Sequence, residues 1–167
     1  MMQSPKPKIR IARQPVKPTS IPALWADLPP HSTVVVDTAP FIYILESHSL
    51  FADQFAGLFE AAAAGHLNIA LSTITLAEVL TGPHKAGQTA LAKRYEKALS
   101  AYTLISVTPS IAALAAQLRA QYRLKLPDAI QLATALDAGA AAFVTHDRDF
   151  SLVTGMAILT GQASPTP

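Results

Sequence analysis

The chain has 167 residues, 50% of them hydrophobic and 14% charged, which suits one globular domain and excludes wholesale disorder, a collagen-like repeat or a charged coiled coil. Cysteine is absent; thiolate catalysis, iron–sulfur clusters and cysteine-ligated zinc are therefore excluded, and the composition fits a reducing cytoplasm. The net charge of +2 conceals a segregation: Lys6, Lys8, Arg10, Arg13 and Lys17 share a stretch without acids, while the rest of the chain holds all 11 acids and is acidic overall. An acidic body repels nucleic acid unless cations intervene, whereas a basic arm can meet phosphate directly.

Residues 1–30 contain Pro5, Pro7, Pro15, Pro18, Pro22, Pro29 and Pro30, more than half of the 13 prolines. They spoil any continuous helix or strand ladder, so an extended basic arm is expected there, with Leu24 and Trp25 docking its end. From Thr33 the texture changes. Val34, Val35 and Val36 form an apolar run ending in Asp37, the pattern of a strand buried on both faces of a parallel sheet. Phe41, Ile42 and Leu45 then share a helix face, and Phe51, Phe55, Leu58 and Phe59 make a second stripe that stops near Gly65 and reads as core.

The alternation repeats with a strand over residues 67–71, an N-cap at Ser72 or Thr73, and a helix through Ile74, Ala77, Glu78 and Leu80 that Gly82-Pro83 is expected to end. A long helix over about residues 87–102 leads to a strand over 103–107. Pro109 and Ser110 open a helix through Leu114, Leu118 and Tyr122; Pro127 opens the next, which Gly139 ends. Ala142, Phe143 and Val144 form another buried strand running into Thr145-His146-Asp147, and residues 156–159 offer the last one before a flexible tail over 161–167. No apolar run reaches membrane-spanning length, since residues 59–71 are interrupted by Glu60, Gly65, His66 and Asn68. The pattern predicts an α/β fold: a parallel sheet with helices on both faces and a ligand site at the carboxyl ends of its strands.

The placement of the acids sharpens this expectation. Asp37 and Asp147 close two predicted strands, Glu78 lies in the helix after the second strand, and Asp128 lies in the first turn of a late helix. All four therefore fall near one sheet edge. Singly, Glu78 reads as an exposed helix residue, Asp128 as a charge favoured by the helix dipole and Asp147 as a turn cap. Together, four carboxylates raise one another's pKa unless a positive charge sits among them. An oxygen-only donor set favours Mg2+ or Mn2+ over zinc, and the five histidines show no metal-binding spacing.

Four stretches carry a resemblance. Residues 34–43 (VVVDTAPFIY), 72–79 (STITLAEV), 126–133 (LPDAIQLA) and 143–150 (FVTHDRDF) resemble, in order and spacing, the four blocks of PIN-domain ribonucleases of the VapC toxin type. The resemblance spans about residues 33–160. It implies a PIN-like three-layer α/β/α sandwich with a central, mostly parallel sheet, the nuclease domain occupying residues 31–160. It also implies a metal-dependent endoribonuclease, the toxin of a toxin–antitoxin pair, with Asp37, Glu78, Asp128 and Asp147 as its acidic cluster and a small antitoxin protein as partner.

In that reading Asp37 and Asp147 are the preferred metal ligands, Asp128 binds directly or through water, and Glu78 is a ligand or orders the attacking water. Thr38 and Thr145 match polar positions flanking the cluster and orient its carboxylates. Asp149 either joins the metal site or caps the turn before Phe150. Where the family often has Asn before the last acid, this chain has His146.

Arg119 and Arg123, four apart and so expected on one helix side, with Lys125 after them, are candidates for holding the RNA backbone or an acidic partner segment. A homodimer in the cytoplasm completes the expectation. The competing reading keeps the fold and makes the protein a non-catalytic RNA-binding or assembly scaffold. A phosphotransferase using Asp37 as nucleophile is disfavoured, because the second Asp expected two residues on is Ala39.

Overall fold

The structure is a computed structural model in which Trp25 and residues 27–161 are described. The arm expected over residues 1–30 therefore lies mostly outside the described residues, as do Leu24 and the tail beyond Gly161.

Five strands form one sheet: β1 (Thr33–Val36), β2 (Asn68–Ser72), β3 (Thr103–Ile105), β4 (Ala142–Thr145) and β5 (Ile158–Thr160). Their order is β3-β2-β1-β4-β5 and every pairing is parallel. Strand β1 is central. Its apolar run is fully enclosed, with Val34, Val35 and Val36 at 0% exposure, each burial worth roughly 1.5–3 kcal/mol.

The alternation of side chains along β1 divides the core in two. Val34 and Val36 join the layer of α1 (Thr38–Leu45), α2 (Ala52–Ala63), α3 (Thr73–Lys85) and α4 (Thr89–Leu99), through Phe41, Phe55, Val79 and Leu99. Val35 faces α5 (Pro109–Tyr122) and α6 (Leu126–Asp137), through Ile111, Ala115 and Leu132, with Phe143 of β4 beside it. Helices thus cover both faces of the sheet, giving an α/β/α sandwich. Trp25 and Leu28 pack against the first cluster, so the docking expected of Trp25 is present.

Five local expectations are corrected. Helix α3 runs through Gly82-Pro83 to Lys85, because a proline in the last turn forfeits only one backbone bond and its ring is buried there. Arg123 does not extend α5: it sits after Tyr122 with φ of 58°, in the left-handed region, so Arg119 and Arg123 do not share a helix side. Phe51 precedes α2 and is only half-buried, stacking on His48 at 4.9 Å; Phe55 and Phe59 are the core members of that stripe. The strand expected over 103–107 and the helix expected over 87–102 are both shorter, at Thr103–Ile105 and Thr89–Leu99.

Chain order places a switch at the middle of the sheet. From β1 the chain moves outward to β2 and β3, then returns to the other side of β1 as β4 and β5. In such sheets the carboxyl ends of the two strands flanking the switch diverge and leave a crevice. Here those ends are Asp37 and Thr145.

Candidate active site

Asp37 follows β1 directly, and its N–H still bonds to Val144 O of β4 at 2.8 Å. The same residue caps α1, its Oδ1 accepting the Thr38 N–H at 2.6 Å. Its other oxygen, Oδ2, accepts the Thr145 hydroxyl at 2.6 Å. Asp37 is 7% exposed. Burial pushes its carboxyl up from 3.8 to about 6, against the two hydrogen bonds, with the charges of Asp128 and Glu78 pushing in the same direction as burial.

Thr145 also ties Asp37 to Asp147, because its Oγ1 accepts the Asp147 N–H at 3.0 Å. Asp147 in turn caps a short 3-10 turn, Arg148–Phe150, its Oδ1 accepting the Asp149 N–H at 2.9 Å. The turn before Phe150 is thus capped by Asp147, and Asp149 is free of that role. One carboxylate oxygen from each of Asp128, Asp147 and Asp149 lies within 4.8 Å of the others.

Asp128 stands in the first turn of α6, where Pro127 starts the helix without a wasted donor and the dipole favours an acid. Its carboxyl is raised, first by burial and then by Asp147, with Lys125 opposing and Glu78 and Asp149 adding. Asp128 Oδ2 is buried with no hydrogen-bond partner. Lys125, exposed at the cap of α6, is the basic candidate whose charge reaches the site; Arg119 and Arg123 are exposed elsewhere on the α5 end.

Glu78 is held by a network that sequence reasoning missed. Its Oε2 accepts the Thr38 hydroxyl, and also the Gln131 amide at 3.2 Å. Gln131 is 1% exposed; it donates further to Thr38 Oγ1 at 3.1 Å and accepts from Thr75 at 2.9 Å. The available signal was its spacing, three residues after Asp128 on the same helix, which puts both on one side of α6. A second missed pair is Tyr43 and His146, whose Oη and Nδ1 are 2.8 Å apart.

The structure therefore brings Asp37, Glu78, Asp128 and Asp147 to one end of the sheet, with Thr38 and Thr145 bonded to carboxylates and Asp149 beside Asp128 and Asp147. Asp37 and Glu78 stand outside the tight trio, each accepting hydrogen bonds from neighbouring donors. A buried orphan oxygen in an all-oxygen donor set fits a hard divalent cation. This defines an α/β sandwich with a cluster of oxygen donors at its switch point.

The family model for the PIN domain matches residues 34–155. The chain belongs to the PIN domain family. Among solved structures, a toxin–antitoxin complex from Klebsiella pneumoniae is 31% identical, covering 77% of this chain and 98% of that one with a TM-score of 0.63. A DNA-bound VapBC complex from Salmonella typhimurium is 19% identical over 78% of this chain and 99% of that one, TM-score 0.65. VapC20 from Mycobacterium tuberculosis, a toxin that cleaves the sarcin–ricin loop, is 16% identical over 74% and 96%, TM-score 0.60. The last two likenesses concern the fold alone. No curated protein matches the sequence.

Proposed function

We propose that this protein is a divalent-metal-dependent endoribonuclease, the toxin of a toxin–antitoxin pair, acting in the cytoplasm as a homodimer and restrained by a small antitoxin protein. The observation that carries the catalytic part is the trio of Asp128, Asp147 and Asp149 with the unpartnered Oδ2 of Asp128, adjoining buried Asp37. The likeness to the Klebsiella pneumoniae toxin–antitoxin complex supports the partner. Among the described residues no helix is long and apolar enough to cross a membrane.

Asp128 and Asp147 would hold Mg2+ or Mn2+, with Asp37 and Asp149 as further donors. When bound, such an ion neutralises the phosphate, acidifies a water and stabilises charge on the departing oxygen. The chain's own contribution is geometry. Thr145 fixes Asp37 and Asp147 together, Thr38 and Gln131 fix Glu78, and Glu78 is the carboxylate left to orient the attacking water and take its proton. Lys125 meets the RNA backbone beside Asp128, and the basic residues of positions 1–30 add phosphate contacts without sequence preference.

Purified protein incubated with RNA and Mg2+ or Mn2+ is expected to cleave internally, and Asp37→Asn and Asp147→Asn to lose cleavage on the order of a thousandfold. Binding of RNA with no turnover under any divalent cation, or equal cleavage by parent and variants, overturns the assignment.

A further inference from the structure

Next to the acidic trio, a cavity of about 560 Å3 opens beyond the end of β4 and along β5, within the size range in which small ligands are buried, roughly 300–1,000 Å3. Phe150, Val153, Met156 and Ile158 give it apolar walls, and Ser151 and Thr160 bring hydroxyls. Arg148 adds a guanidinium to the lining, able to bond the edge of a planar ligand, and two further lining residues connect the cavity to the site. Asp147 lines the cavity and contributes an oxygen to the trio. His146 also lines it, on a ring that is braced by its bond to Tyr43 and by T-shaped contacts with Phe51 at 4.6 Å and Phe55 at 5.9 Å.

Continuity through Asp147 limits the occupant. A nucleic-acid linkage held at the trio places its adjoining residue within reach of this cavity. The charged backbone belongs with the acids and their cation, whereas the part suited to apolar walls, a braced aromatic face and two hydroxyls is flat, uncharged and edged with hydrogen-bonding groups. That is the chemistry of a base, and single-stranded RNA is read by stacking bases on aromatic side chains and bonding their edges. The departure at position 146 thereby gains a role: an imidazole offers a stacking face that an amide does not.

We propose that the cavity is the subsite for one unpaired nucleobase next to the scissile phosphate, with His146 as its stacking partner. The proposal rests on the endoribonuclease reading and makes the cavity the determinant of base preference at the cut. Met156→Trp fills the space without touching a carboxylate, and Val153→Phe narrows the same space.

Two measurements test it. In the first, the four nucleoside 5′-monophosphates are titrated against the intact protein and the His146 ring resonances followed by NMR, with no turnover involved. At least one is expected to shift them, with affinity falling on the order of tenfold in both variants. No shift with any of the four, or unchanged affinity in both variants, overturns the subsite. In the second, RNAs differing only in the base beside the cut, with an abasic control, are cleaved by parent and variants. The parent is expected to discriminate among bases by on the order of tenfold in kcat/KM and to cut the abasic RNA no faster than its least favoured base, and the variants to lose that preference. Preference retained in the variants overturns the subsite; mononucleotide binding by a parent that cuts no RNA overturns the endoribonuclease reading instead.

Discussion

Asp37 and Glu78 share one end of the sheet with Asp128, Asp147 and Asp149, yet the two groups are satisfied in different ways. Both oxygens of Asp37 have donors, from Thr145 and the Thr38 backbone, and Glu78 is held by Thr38 and Gln131. Across the switch, Asp128 leaves a buried oxygen without any partner beside two further carboxylates. The first group is finished by the protein. The second leaves Asp128 Oδ2 open beside two like charges, and that is where the proposed cation would complete it.

The sharpest way to break this contrast is Asp128→Asn. It is expected to lower RNA cleavage on the order of a thousandfold while raising the thermal midpoint of the metal-free protein, since it removes a partly buried charge that lacks a donor. A lowered midpoint would place Asp128 with the finished group.

Acidity gives the next largest effect. Because the Asp37 carboxyl titrates near 6 in the fold and at 3.8 when unperturbed, the native state holds a proton between those values that the unfolded chain releases. Stability of the metal-free protein therefore falls as pH rises from about 4 to about 6, by about 3 kcal/mol at most, and changes no further above that on this account. Chemical denaturation across pH measures it. Millimolar Mn2+ is expected to flatten the slope, and a slope of opposite sign would remove Asp37 from the buried group.

Gln131→Leu is the gentlest of the three. It leaves Thr75 and Glu78 short of a partner, at about 1–3 kcal/mol of stability, and slows cleavage by roughly tenfold through a looser Glu78. Mn2+ affinity, read by electron paramagnetic resonance, is expected to stay as in the parent, because the amide supports the finished group alone.

These effects differ in how readable they were beforehand. The valines before Asp37 and the run before Thr145 announce buried parallel strands, and with strands located, acids at their ends follow from chain direction. The switch at β1 then puts them together. Gln131 was not readable, since its three partners, Thr38, Thr75 and Glu78, come from distant blocks and an amide amid Ala129, Ile130 and Leu132 looks like a solvent-facing position. The end of α3 was misjudged for a different reason: a proline strains the turn before it rather than the residues after it, so Pro83 does not stop the helix, which runs on to Lys85. Arg123 fell to backbone conformation, which spacing alone does not reveal.

Helix α6 carries Asp128 in its first turn and Gln131 in its second, so a single rod bears both the cation-seeking acid and the brace of Glu78. Tilting that rod slackens both at once. Because the body of α6 is buried and α5 packs along it, a displacement passed inward through α5 would disarm both without any plug in the crevice.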